Sequence, residues 1–242
     1  MSMEGFFAVH SGLGREGPGT ARDVEWACAA AGIASDAAIC DAACGPGADV
    51  AALRRAAPEG HVMAFDKHLP FVAEAAARHR RDAGVTVAQG TLVGPDDLPD
   101  PVDLGPFDLI WCAGAMYFTG TVPALTRWKA ALKPGGAVAF SAPVNWAEET
   151  REMRAFWEQD VDTEESLDAA IHGAGWGVIA RSRVASEGWE AYYDGVEARC
   201  DVLETCAAPP IRQAVAENRR EAKRWRALQD KLGYALRVVR PI

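Results

Sequence analysis

A doubly wound α/β fold with a mainly parallel sheet is predicted by three features of the 242-residue sequence. Short apolar runs alternate with amphipathic helical patterns through most of the chain, as βαβ units require. A glycine-bearing turn, DAACGPG (Asp41 to Gly47), follows the first run directly. The turn at Lys133-Pro134-Gly135-Gly136 separates another helical stretch from another strand, AVAFS.

In order, Thr20 is suited to cap a helix running to about Ala31, because its hydroxyl satisfies a backbone N–H left open in the first turn. AAIC then reads as a strand, Ala48 to Ala56 as a helix and HVMAFD as a second strand. PFVAEAAARHRRDA reads as an amphipathic helix with Pro70 in its first turn, where no N–H is needed. VTVAQ and FDLIWC are the third and fourth strands, and VPALTRWKAAL a helix that stops before AVAFS. Beyond Ser141 helices are expected over Glu148 to Gln159 and Glu164 to Ala174, then a strand at GVIARSRV. Trp189 to about Leu232 reads as two helices divided by Pro209-Pro210, before the terminal strand YALRVV. One domain over 1–242 is expected, with 1–20 as an N-terminal cap segment and 189–231 as a helical insertion.

Composition limits the function classes. Hydrophobic residues make up 49% and charged residues 24%, the balance of a globular protein with a sizeable core. A formal net charge of -9 argues against a nucleic-acid groove, which needs clustered Lys and Arg. The one basic cluster, Arg219, Arg220, Lys223, Arg224 and Arg226, fits a solvated helix face. The sequence shows no secretion-type leader and no apolar run of membrane-spanning length, so a cytoplasmic location without membrane partners is expected. The six cysteines are expected to be reduced, and Cys40 and Cys44 lack the second ligand pair of a zinc site, so no metal is expected.

Ligands of open α/β sheets bind beyond the carboxyl ends of the strands, where strand order reverses. In DAACGPG, Gly45 and Gly47 let backbone approach a ligand, and Asp41 supplies an acceptor. Asp66 ends the second strand about 20 residues later, where a carboxylate can accept from both ribose hydroxyls of a nucleoside. GLGREG (Gly12 to Gly17) also satisfies GxGxxG, but no helix opens at its glycines and it lacks a phosphate-binding Lys. It therefore reads as part of a cap, not as an NAD or ATP fingerprint.

Taken together, ICDAACGPG, HVMAFDKH, FDLIWCAGAMY, LKPGGAVAFS and LGYALRVVRP resemble the motifs of class I S-adenosylmethionine-dependent methyltransferases, notably the ubiquinone-biosynthesis-like small-molecule branch. The resemblance implies a seven-stranded sheet of order 3-2-1-4-5-7-6 whose last strand inserts antiparallel. It implies S-adenosylmethionine as cofactor and a small-molecule methyl acceptor as partner. It places Asp41, Ala43, Gly45 and Gly47 along the methionine and ribose of the cofactor, Asp66 on the ribose hydroxyls and Lys67 beside the adenine. Gly90, Thr91 and Leu92 would wall the adenine, and Cys112, with Ala113 and Gly114, would lie near the methionine. Two positions depart from the family pattern. Thr91 stands where many relatives carry Asp, and Ala43 replaces a Gly, which it can do at a negative φ.

For an acid or base, Tyr117 and then His10 are the leading choices, ahead of Glu190 and Asp194. Trp189, Tyr192 and Tyr193 are suited to wall an acceptor pocket. Methyl transfer needs no thiol nucleophile, so Cys112 reads as a packed residue. The rival readings are a methyltransferase-like module that binds a nucleoside or a protein without catalysis, and an NAD-dependent oxidoreductase. The second requires a parallel final strand and a third glycine where the sequence has Val50.

Overall fold

A computed structural model describes residues 2–94, 97–206 and 208–242. In chain order the elements are α1 (Met3–His10), α2 (Ala21–Ala31), β1 (Ala38–Ala42), α3 (Val50–Ala56), β2 (His61–Asp66), α4 (Leu69–His79), β3 (Val85–Gln89), α5 (Pro101–Leu104) and β4 (Phe107–Cys112). They continue as α6 (Thr121–Trp128), β5 (Leu132–Asn145), α7 (Arg151–Trp157), β6 (Asp162–Thr163), α8 (Glu164–Gly173), β7 (Trp176–Arg183), α9 (Ser186–Leu203), α10 (Pro209–Leu228) and β8 (Leu232–Pro241).

The sheet runs β3-β2-β1-β4-β5-β8-β7, with the two-residue β6 added beside the end of β5. Leaving β6 aside, this is the expected order, and β8 lies antiparallel to both β5 and β7. That arrangement removes the parallel final strand on which the oxidoreductase reading depended.

Strand side chains alternate between the two faces, so each apolar run serves two cores. Ile39, Leu109, Ala137 and Val238 pack with α2, α3, α9 and α10, whereas Cys40, Ile110, Val138 and Val239 pack with α6 and α8. The parallel register pairs Asp41 with Ala64 and Trp111, and Asp66 with Gln89. The carboxyl ends of β1, β2 and β4 therefore form one rim, and strand order reverses between β1 and β4 at that rim.

Several boundaries differ from expectation for physical reasons. β5 includes the KPGG turn as an irregularity and runs on to Asn145, because β8 pairs with it as far as Leu232. Pro143 falls beyond Phe140, the last β5 residue alongside β4, so its missing N–H breaks no β4 ladder bond. Pro209 and Pro210 open α10, where proline is tolerated, instead of lying between two helices. The insertion begins at Ser186, slightly ahead of the expected Trp189.

The cap segment begins with a helix that local pattern does not reveal. Its Val9 and the following Leu13 bury against Val196 and Cys200 of α9 and Ala214 and Val215 of α10. Gly5 permits this packing, since a Cβ there would come within 2.7 Å of the Pro210 carbonyl. Arg199 Nε donates to the Ala8 carbonyl at 2.9 Å and ties the helix end to α9. In this way the insertion carries the N-terminal segment over the rim of the sheet.

Candidate active site

The loop after β1 is held from below by β2. Cys44 N–H donates to the Phe65 carbonyl at 2.9 Å, and Gly45 N–H to Asp66 Oδ2 at 3.0 Å. The other Asp66 oxygen accepts from His68 N–H at 2.8 Å. A carboxylate oxygen takes two hydrogen bonds, so Asp66 is fixed in place yet retains an acceptor site on each oxygen.

Three residues of the loop have positive φ: Ala43 at 58°, Gly45 at 53° and Gly47 at 78°. The expectation of a negative φ at Ala43 is therefore corrected. The loop imposes the left-handed conformation on an alanine, at a cost of about 1–2 kcal/mol.

Asp41 is buried at the end of β1, and its Oδ2 has no hydrogen-bond partner. Burial pushes its carboxyl well above the usual range; Asp49 adds to the shift, Arg15 opposes it and Asp66 adds again. Nearby Asp49 is fully engaged. It accepts from Trp111 Nε1 at 2.9 Å and pairs with the Arg15 guanidinium through both oxygens.

Arg15 and Glu16 come from GLGREG, so the segment rejected as a nucleotide fingerprint supplies two charged walls of the site. The Glu16 side chain lies over the β1 loop: a Cβ on Gly45 would stand 3.4 Å from Glu16 Cγ. Glu16 Oε2 is 2.6 Å from His10 Nδ1, and the His10 ring stacks on Phe6 at 4.2 Å. The second oxygen, Oε1, is buried without a partner. Burial raises the Glu16 carboxyl, while its bond to His10 opposes the shift.

These groups surround a cavity of about 560 Å³. Of the residues singled out from sequence, Asp41, Ala43, Gly45, Asp66, Lys67, Gly90, Thr91, Leu92, Tyr117 and His10 line it. Gly47 and Cys112 stand back from it. A Cβ on Gly47 would press on Ala75 and His79 at 3.1 Å, so this glycine serves helix packing. Cys112 is buried in the opposite core, and burial raises its thiol far above the usual value, which removes it as a nucleophile.

The aromatic trio divides in the same way. Trp189 stacks on Trp225 at 5.5 Å, Tyr193 donates to Glu221 Oε1 at 3.1 Å, and only Tyr192 reaches the cavity. Glu190 and Asp194 are removed as acid or base choices, because they pair with Arg226 on the outer side of the insertion at 2.9 and 3.4 Å. The basic cluster is likewise absorbed in part by acidic neighbours, with Arg219 bound to Asp201 and Glu204. Tyr117 accepts from Tyr234 Oη at 3.4 Å, and burial raises its phenol, so it stands in the cavity as a neutral hydroxyl.

Sequence reasoning missed Phe6, Arg15, Glu16, Asp49, Phe71 and Phe118, all of which line the cavity. An Arg-Glu pair set among glycines just ahead of the Thr20 cap was the signal available for the two charges.

Residues 39–136, which span β1 through the KPGG turn, match the family model described as a methyltransferase domain. The match covers the central part of the chain. The fold agrees over its full length. A methyltransferase structure from Geobacter sulfurreducens, in complex with S-adenosyl-L-homocysteine, superposes with a TM-score of 0.83 at 18% identity, covering 100% of this chain and 99% of that one. A counterpart from Thiobacillus denitrificans, with the same ligand, gives 0.82 at 17% identity and the same coverage. YjhP from E. coli gives 0.82 at 18% identity, covering 98% of this chain and 99% of that one. No curated protein sequence matches the chain. The matched residues thus contain the β1 loop and Asp66, whereas the cap and the α9–α10 insertion lie outside them.

Proposed function

We propose that the protein transfers a methyl group from S-adenosylmethionine to a small-molecule acceptor, and that the whole chain, 1–242, works as one domain. The observation that carries this reading is the pair of carboxylates at the switch point, one orphaned and one with spare acceptor sites, beneath the capped cavity. The donor set suits this cofactor. The unpartnered Asp41 Oδ2 is placed to accept from the amino-acid ammonium, and Asp66 from the two ribose hydroxyls. Ala43 and Gly45 bring backbone against the chain between them, and Lys67, Gly90, Thr91 and Leu92 border the adenine. When bound, the cofactor supplies a methyl group already activated on a sulfonium.

The work left to the protein is alignment of the acceptor for in-line attack and exclusion of water. Tyr117 and His10 line the cavity. Neutral Tyr117 is suited to hold an acceptor by hydrogen bonding, while His10, oriented by Glu16, is the group suited to accept its proton. Arg15, anchored by Asp49, lines the cavity.

A metabolite extract incubated with methyl-labelled S-adenosylmethionine tests the reading. Label is expected in a small-molecule product with wild-type protein, and Asp66→Ala is expected to weaken cofactor binding by about 2–3 kcal/mol and suppress labelling. Absence of cofactor binding to the wild type, or equal binding by Asp66→Ala, contradicts it.

A further inference from the structure

The wall of the cavity that runs from Glu16, over the β1 loop, to Tyr192 has a distinctive chemistry. Phe6, Tyr117, Phe118 and Tyr192 supply aromatic surface, and Glu16 contributes a buried oxygen without a partner. Cations are scarce there. Among the described lining residues the fixed cations are Arg15, which is neutralised by Asp49, and Lys67, which follows Asp66 at the nucleoside end. An acidic acceptor would bring a negative charge towards Glu16 with no free arginine or lysine to receive it. A cationic acceptor would meet aromatic faces and an unpaired carboxylate oxygen, both of which attract it.

We infer that the methyl acceptor is an amine, bound through its nitrogen to Glu16 Oε1 within the aromatic walls and methylated on that nitrogen. This rests on the methyl-transfer reading above. The ammonium of the bound acceptor first gives a proton to the Glu16–His10 pair. Its freed lone pair then forms the N–C bond as the C–S bond breaks, with that bond's electron pair remaining on sulfur. A neutral S-adenosylhomocysteine and a methylated ammonium result, and the proton held by Glu16 and His10 leaves to solvent when the product departs. Glu16 thereby serves as a catalytic residue for which His10 is the hydrogen-bonded partner.

The test is calorimetric titration of protein loaded with S-adenosylhomocysteine, using three probes on one skeleton: 2-phenylethylamine, 2-phenylethanol and phenylacetate. The amine is expected to bind about tenfold or more tightly than either other probe, as one charge-assisted hydrogen bond warrants. Glu16→Gln, close to isosteric, should erase that preference while S-adenosylhomocysteine affinity stays within about threefold. Equal or stronger binding of the alcohol or the acid to wild-type protein overturns the inference, and so does absence of amine binding at millimolar concentration. Loss of S-adenosylhomocysteine affinity in Glu16→Gln with the amine preference intact also overturns it, by assigning Oε1 to the cofactor. Failure of the wild type to bind S-adenosylhomocysteine is a different result, because it removes the methyl-transfer reading itself.

Discussion

Two regions of the sheet handle buried carboxylates in opposite ways. At the β7–β8 edge, Arg237 is almost wholly buried, and its guanidinium meets Asp168 at 2.6 Å and Glu164 at 3.2 Å. Arg181 and Arg183 complete the pairing of both carboxylates. At the β1–β2 rim, Asp41 Oδ2 and Glu16 Oε1 are buried without partners. The carboxyl groups respond accordingly. Arg183 holds Glu164 below its usual range against the effect of burial, and for Asp168 burial is outweighed by Arg237 and Arg181. Asp41 and Glu16 are pushed upward by burial. An unpaired buried carboxylate costs stability, so a fold that pairs Glu164 and Asp168 in one region and leaves an oxygen of Asp41 and of Glu16 open in the other has kept the open carboxylates for a ligand.

The largest effect should come from breaking the paired edge. Arg237→Leu leaves two carboxylates without their central cation and is expected to cost about 3 kcal/mol in urea denaturation, with cofactor affinity unchanged. A loss of cofactor affinity comparable to the loss of stability would erase the distinction between the two regions.

The pH dependence should be smaller and of opposite sign in the two regions. Asp41 and Glu16 have raised folded-state values, so in the window above their unfolded values, from about pH 4 upward, the native state holds the extra protons. Their contribution to stability therefore falls as pH rises through that window. Glu164 and Asp168 have lowered values, so their contribution is present above about pH 4 and is lost on acidification. Ligand-free protein should lose stability between pH 5 and pH 8 relative to an Asp41→Asn variant, and Arg237→Leu should flatten the acid limb alone; both are read from melting curves across pH. Parallel curves for Asp41→Asn and wild type would mean that the rim carries no charge penalty.

The smallest effect concerns the loop backbone. Ala43→Gly should stabilise the protein by about 0.5–1 kcal/mol in chemical denaturation, because glycine accepts the positive φ without strain while gaining freedom in the unfolded chain. Destabilisation would show that the Ala43 methyl packs usefully against its neighbours.

The two regions also differ in how far sequence discloses them. Strands His61–Asp66, Val85–Gln89 and Phe107–Cys112 are legible to the residue, since each is an apolar run bounded by turn-forming residues. Asp41, Gly45 and Asp66 are legible because the chain places them at strand ends, where a fixed fold puts its ligand. α1 is not legible. Its eight residues carry too little periodicity, and the surface that buries Val9 belongs to α9 and α10, nearly two hundred residues later. Glu16 and Arg15 are hidden for a related reason: charges in a glycine-rich loop have no period, Arg15 meets Asp49 only through tertiary folding, and His10 reaches Glu16 only once α1 and the turn after it have formed. Cys112 and Gly47 show the converse, since both sit at expected motif positions while their surroundings turn them to packing.

The most direct test of an unpaired rim built to receive a cationic ligand group is the proton balance of binding. S-adenosylhomocysteine is titrated calorimetrically near neutral pH in buffers of different ionisation enthalpy, with wild-type and Asp41→Asn protein. Binding of the ligand ammonium favours ionised Asp41, so the wild type is predicted to release protons on binding, whereas Asp41→Asn should bind more weakly with that release abolished. No binding by the wild type, or the same affinity and proton release in Asp41→Asn, would contradict the account.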